Sequence, residues 1–231
     1  MENEDNSLEN ESEYPKLTKI NSYTSSHKYL FRICLLGNSG VGKTSILTRY
    51  SEEQFKEKYS STIGVDFKVI TLKYKDIYAK IHVWDTAGQE RFKSIALNYF
   101  KSSNGFIFCY DITNKKSFEN IKEWIELAFN NNNSHKINFL IGNKNDLIQQ
   151  REVNQDEGEN FAKQNGFFFL ECSAKNNYNI DRVFEIFSYK LISYYEKNKE
   201  EYLGNERERK LSNSQKINTQ NLKKKKKCVC I

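Results

Sequence analysis

The sequence predicts an α/β fold with a largely parallel sheet. Two observations carry that expectation. The stretch GNSGVGKTS at 37–45 has the spacing GxxxxGK[ST] of a phosphate loop, set between a strand-type apolar run at 29–36 and a helix-type segment at 44–51. Downstream, strand-like runs alternate with helical patterns, and the polar motifs fall where strands end. In parallel α/β sheets, ligands bind at those carboxyl ends.

The residue types of the loop follow from its chemistry. Gly37, Gly40 and Gly42 let the backbone turn tightly and aim successive N–H groups at phosphate oxygens. The expected cradle comprises Ser39, Gly40, Val41, Gly42, Lys43, Thr44 and Ser45. Lys43 brings a compact positive charge to the β- and γ-phosphates, and the Thr44 hydroxyl is placed to ligate Mg²⁺. The helix that follows adds positive potential from its N-terminus.

Taken in order, residues 1–27 are rich in Glu, Asn and Ser and hold the chain's one proline. They bury too little apolar surface to offset ordering entropy and are expected to be a disordered acidic extension. Residues 53–64 read as a loop. Residues 65–72 and 79–84 alternate as two strands of an antiparallel hairpin, with the turn at 74–78. Directly after the hairpin stands Asp85-Thr86-Ala87-Gly88-Gln89. An aspartate ending an apolar strand downstream of a phosphate loop suits a carboxylate near Mg²⁺. Gly88 brings its N–H to a γ-phosphate, and the Gln89 amide, donor and acceptor in one group, suits orienting a water.

Residues 105–110 (GFIFCY) form a continuous apolar run, as in a parallel strand buried on both faces. Residues 117–129 have helical spacing, with Asn114 a possible start, and the asparagines at 130–133 read as a surface loop. The strand at 137–141 ends in Gly142-Asn143-Lys144-Asn145-Asp146, an NKxD signal. The Asp146 carboxylate can accept from N1–H and the exocyclic amine of guanine. Adenine offers neither donor, so a buried aspartate rejects it by being left unpaired. Asn143 can bond the base edge, and the Lys144 stem can cover the ring face. A helix at 153–164 and a last strand at 167–170 lead to Glu171-Cys172-Ser173-Ala174-Lys175, a loop able to set a backbone N–H near guanine O6. Residues 180–195 form a long amphipathic helix.

Charge is unevenly spread. The net +6 divides into −4 over residues 1–27, +4 over the middle and +6 over 198–231. An evenly basic nucleic-acid binder would look different, and no aromatic platform accompanies the lysines. No run approaches the ~20 apolar residues of a membrane span, and no signal peptide is evident. Glu2 does not fit N-terminal myristoylation. Five cysteines without CxxC spacing suit a reducing cytosol better than a disulfide framework.

These motifs together resemble the Rab-type small GTPases of the Ras superfamily, from about Lys28 to Lys197. GNSGVGKTS, STIGVDF (61–67), WDTAGQERF (84–92), YDIT (110–113), GNKND (142–146) and ECSAK (171–175) all stand at family spacing, and IGVDF and WDTAGQERF point to the Rab branch. The resemblance implies a P-loop GTPase domain, a six-stranded, mostly parallel sheet flanked by about five helices. It implies that Thr62 reaches Mg²⁺ and the γ-phosphate in the GTP state, and that Tyr59 lies over the nucleotide. It places Ile63, Gly64, Val65, Asp66 and the aromatic triad Phe67, Trp84 and Tyr99 on the effector surface. Three departures stand out. Tyr99-Phe100-Lys101-Ser102-Ser103 replaces the usual Tyr-Tyr-Arg-Gly-Ala, Asn38 stands where an acid is common, and Cys172 replaces the frequent threonine.

The implied activity is slow GTP hydrolysis with Gln89 as the catalytic residue, accelerated roughly 10³- to 10⁵-fold by an activating protein. The implied partners are GTP and GDP, effectors, an exchange factor, the activating protein, a GDP-dissociation inhibitor and a prenyltransferase escort. A monomer is expected. Residues 198–231 read as a flexible basic tail. Lys223 to Lys227 precede Cys228-Val229-Cys230-Ile231, an ending open to prenylation at Cys228 or at both Cys228 and Cys230. Each lysine near an anionic leaflet offers on the order of 1 kcal/mol. The expected location is the cytoplasmic face of intracellular membranes, with a cytosolic pool. Two other readings compete: a nucleotide-holding scaffold without turnover, and a P-loop enzyme using ATP, against which Asp146 argues.

Overall fold

A computed structural model describes residues 14–20, 27–57, 62, 65–86, 97, 99–130 and 136–199. They fall into two units, one ending at Leu191 and the other beginning at Ile192. In the first unit a sheet of seven strands runs in the order β1-β3-β4-β2-β5-β6-β7. The strands are β1 (Thr18–Lys19), β2 (Tyr29–Leu36), β3 (Val65–Tyr74), β4 (Ile77–Thr86), β5 (Gly105–Asp111), β6 (Ile137–Asn143) and β7 (Phe168–Glu171). The helices among the described residues are α1 (Lys43–Glu52), α2 (Lys115–Glu119), α3 (Ile121–Phe129), α4 (Gln155–Gln164) and α5 (Ile180–Lys197), with a 3₁₀ turn at Asn145–Gln150.

Hydrophobic pattern sets the sheet. Every residue of β5 is buried, as expected of a central strand covered on both faces. It pairs in parallel with β2 and β6, which also run parallel to β4 and β7. Strand β3 is antiparallel to β4, and the hairpin closes at Lys75 and Asp76, Lys75 taking a left-handed φ of 52°. One core cluster gathers Phe106, Phe108, Tyr110, Phe118 and Trp124. Elsewhere α1 and α5 meet where Tyr50 stacks on Phe184, ring centroids 4.1 Å apart. Asn114 caps α2, its side chain accepting from the Ser117 N–H at 3.0 Å. The three described cysteines, Cys34, Cys109 and Cys172, are free and buried, and burial pushes the Cys34 and Cys109 thiols up to about 12.

The edge of the sheet differs from expectation. The six expected strands are present, and β1 adds a seventh, antiparallel to β3 with Thr18 opposite Lys73. Disorder across residues 1–27 therefore does not describe 14–20. The reason is local anchoring that an average over a polar window hides. Leu17 is 7% exposed, and the Tyr14 ring meets Tyr189 edge-on at 6.0 Å. Arg182 donates to the Tyr14 carbonyl at 3.0 Å, and the Lys19 ammonium donates to the Tyr50 carbonyl at 2.7 Å, closing the C-terminal end of α1.

Candidate functional site

Strands β2, β4 and β6 deliver their carboxyl ends to one cavity of about 500 Å³. The phosphate loop leaves β2 at Gly37, and Gly42 opens α1 with φ 97° in the left-handed region. A Cβ at Gly42 would stand 2.3 Å from the Asn143 side-chain nitrogen, so this position requires glycine on both counts. The Lys43 ammonium, nearly buried, donates to the Gly37 and Asn38 carbonyls at 2.9 Å each. Burial lowers its pKa from the usual lysine value, and the Asp85 carboxylate pulls the other way. A cation desolvated among neutral carbonyls gains further from an anion in the same place.

Thr44, Thr62 and Asp85 converge beside it. The Thr44 hydroxyl donates to Asp85 Oδ2 at 2.5 Å and lies 2.8 Å from the Thr62 hydroxyl. Asp85 is 1% exposed, and its Oδ1 has no hydrogen-bond partner. Burial raises the Asp85 pKa above the usual carboxylate value, against the lowering effect of Thr44 and Lys43. Two hydroxyls and a carboxylate, one of whose oxygens is buried and orphaned, form an all-oxygen donor set that fits Mg²⁺. Among the described residues no group of three or more His, Cys, Asp or Glu side chains is gathered for a metal. The threonine hydroxyls supply what such a cluster would lack.

At the other end of the cavity, Lys144 takes a left-handed φ of 69° and turns the chain from β6 into the 3₁₀ turn that carries Asp146. Asp146 Oδ1 accepts from the Ser173 hydroxyl at 2.6 Å. Asn143 ties three loops together. Its side-chain nitrogen donates to the Val41 carbonyl at 2.8 Å, while its oxygen accepts from the Ala174 N–H at 3.3 Å. The Lys144 ammonium pairs with Asp111 at 2.6 Å, which leaves the aliphatic stem beside the cavity it helps to line. Ser39, Gly40, Ser45 and Lys175 also line it, and Val41 is buried behind.

Three supports had no signal in the sequence. Asn38 accepts from the Trp124 indole N–H at 2.9 Å, pinning the phosphate loop to α3. Glu171 accepts from Arg151 through both guanidinium branches, at 2.5 and 2.7 Å, and from Asn145 at 2.7 Å. Arg49 donates to the Ala174 carbonyl at 2.8 Å. Each is a contact between distant segments, invisible to local spacing.

The aromatic triad is also brought together. The ring centroids of Phe67 and Trp84 are 5.0 Å apart and those of Trp84 and Tyr99 are 4.3 Å apart. Phe67 is 47% exposed, an outward placement on β3. Val65 and Asp66 lie at the start of the same strand. Tyr59, Ile63, Gly64, Gly88, Gln89, Cys228 and Cys230 lie outside the described residues.

Fold and site define a P-loop nucleotide-binding protein. The family model described as Ras family matches residues 32–193. Over 159 residues the chain is 43% identical to Ras-related protein Rab-8B of Bos taurus, covering 69% of this chain and 77% of that protein. Over 161 residues it is 42% identical to GTP-binding protein ypt2 of Schizosaccharomyces pombe, covering 70% and 80%. It is also 42% identical over 159 residues to Ras-related protein Rab-13 of Rattus norvegicus, covering 69% and 78%. The chain belongs to the Ras family, as a GTP-hydrolysing small GTPase of its Rab branch, and the family implies a role in vesicle traffic.

Proposed function

We propose that this GTPase binds GTP and GDP with Mg²⁺ in the cavity described and acts from the cytoplasmic face of an intracellular membrane. The supporting observation is one convergence. Lys43, Thr44, Thr62 and Asp85 gather at one end of a single cavity, and Asp146 with the Ser173 to Lys175 loop borders the other end. That spacing suits a triphosphate at the first end and a purine at the second. Thr44, Thr62 and Asp85 would hold Mg²⁺, which when bound neutralises charge on the β- and γ-phosphates.

The chain's own residues then do the following. Lys43 and the backbone N–H groups of 39–45 hold the phosphates in line. Asp146 accepts from the guanine edge, and the Lys144 stem covers the ring. Gln89 orients the attacking water. Thr62 and Gly88 contact the γ-phosphate, so its loss on hydrolysis releases two loops and changes the surface around Phe67, Trp84 and Tyr99 that effectors read. An activating protein supplies transition-state charge, an exchange factor empties the site, and a dissociation inhibitor and a prenyltransferase escort handle the lipidated tail. Cys228 and Cys230 carry the lipid, and the lysines at 223–227 add attraction to anionic headgroups. No helix among the described residues is long and apolar enough to cross a membrane.

Competition decides the nucleotide. Full-length protein loaded with a fluorescent GDP analogue and Mg²⁺ should lose its label to excess GTP and keep it against a thousandfold excess of ATP. Equal displacement by ATP would end this reading. Single-turnover hydrolysis, slow in the parent and abolished in Gln89→Leu, separates the switch from a scaffold that never turns over.

A further inference from the structure

The Arg49 guanidinium spends three nitrogens on three backbone carbonyls. Its Nε donates to Ala174 O at 2.8 Å, one terminal nitrogen to Lys175 O at 3.1 Å, and the other to Glu53 O at 2.9 Å. The plane also lies 5.8 Å from the Phe55 ring centroid. Arg49 sits on α1, five residues beyond Thr44, so one rigid helix begins at the phosphates and ends against the base-side loop.

The direction of those carbonyls matters. In a trans peptide the N–H points opposite to the C=O. Holding Ala174 C=O toward α1 therefore turns the Lys175 N–H the other way, and Lys175 lines the cavity. The neighbouring donors are already engaged. Ser173 N–H bonds the Tyr178 carbonyl at 3.0 Å, Ala174 N–H bonds Asn143 Oδ1 at 3.3 Å, and Asn176 N–H bonds the Ser173 hydroxyl at 3.1 Å. Among the described residues of this turn the Lys175 and Asn177 N–H groups have no protein acceptor, and of these two residues Lys175 lines the cavity.

We propose that Arg49 is a positioning residue for base recognition: by gripping the Ala174 and Lys175 carbonyls it aims the Lys175 N–H at the six-position oxygen of guanine and sets how long the nucleotide stays. The inference rests on the reading that this loop faces the base. A planar fork is needed because two carbonyls on one loop and a third after α1 must be met at once, and lysine has a single nitrogen to share among them.

Release of a ribose-labelled fluorescent GDP from the full-length protein tests this, together with competition by unlabelled GDP and 6-thioguanosine diphosphate, whose sulfur is a poor acceptor. Arg49→Ala should release GDP about tenfold to a hundredfold faster. The parent's preference for GDP over the thio analogue should fall toward unity in the same variant. Arg49→Lys should lie between, and it keeps the test alive if the alanine variant fails to fold. Unchanged release in both variants would overturn the proposal. So would faster release with the preference intact, since a merely structural brace would loosen both nucleotides alike. Parent protein holding ADP as well as GDP would instead overturn the reading of the loop, and the proposal with it.

Discussion

A single methyl group at Gly42 would meet the Asn143 amide at 2.3 Å, in a backbone conformation that L side chains rarely adopt. Both the phosphate loop and the amide that bridges Val41 to Ala174 would have to move. Gly42→Ala should weaken GDP binding at least tenfold and lower stability by about 1–3 kcal/mol, the scale of backbone strain at such sites. Calorimetric titration and urea unfolding would check it, and an unchanged affinity would refute the close approach. His82 is a different kind of residue-scale device. Burial lowers its pKa from the ordinary 6.5, helped by Arg32 on β2, His27 and Lys80, while Phe67 flanks its ring at 6.1 Å. The unfolded chain therefore takes up a proton that the folded one resists, from pH 6.5 down to the folded value. Stability should be at its full value above that pH and fall as pH drops through the window. His82→Gln should flatten the slope in urea midpoints measured between pH 7.5 and 5.5 with saturating GDP, and an identical slope in both proteins would refute the assignment. The motif residues were legible in the sequence because phosphate and guanine chemistry restricts residue type at fixed spacing. Their braces, Asn38 with Trp124 and Glu171 with Arg151, were not, since each joins segments far apart in the chain.

At the scale of elements, β1 shows how little sequence an edge strand needs. Two residues pair with β3, and the surrounding anchors are Leu17, the Lys19 ammonium on the end of α1 and the Tyr14 ring against Tyr189. Leu17→Ala should cost about 2 kcal/mol, the low end for a buried leucine, because an edge site relaxes into solvent. That corresponds to a fall of about 4–8 °C in melting temperature for a domain of this size. GDP affinity should stay within twofold. A melting temperature unchanged by the substitution would mean the arm does not hold the sheet edge. The other strands were legible because buried parallel strands need continuous apolar runs, as in β5. The arm was not, because three spaced apolar residues do not lift a window rich in Glu, Asn and Ser.

For the whole molecule, charge is divided by region. The extension at 1–27 is net −4 and the tail at 198–231 is net +6. In the anchoring proposed above, the polybasic run would reinforce one or two prenyl chains on an anionic surface, and its contribution would weaken as salt shortens the Debye length. Serine at both Cys228 and Cys230 should move the protein from the membrane pellet to the supernatant of its own cells. Full-length protein should leave anionic vesicles more readily at 0.5 M salt than at 0.1 M. Pelleting of the double-serine variant at the parental level would refute lipid anchoring.

Residue spacing by itself determined the class of chemistry. A phosphate loop, an aspartate after a strand and NKxD need particular atoms at particular chain distances, so the nucleotide and the likeness to Rab GTPases could be read directly. Only the tertiary structure decided what holds those atoms in place, Asn143 bridging two loops and Arg49 gripping one of them, and it alone set an N-terminal arm on the sheet edge. The physical reason is range. Local sequence encodes backbone preference and the chemistry a ligand demands, whereas hydrogen bonds between segments a hundred residues apart exist only after the chain has closed on itself.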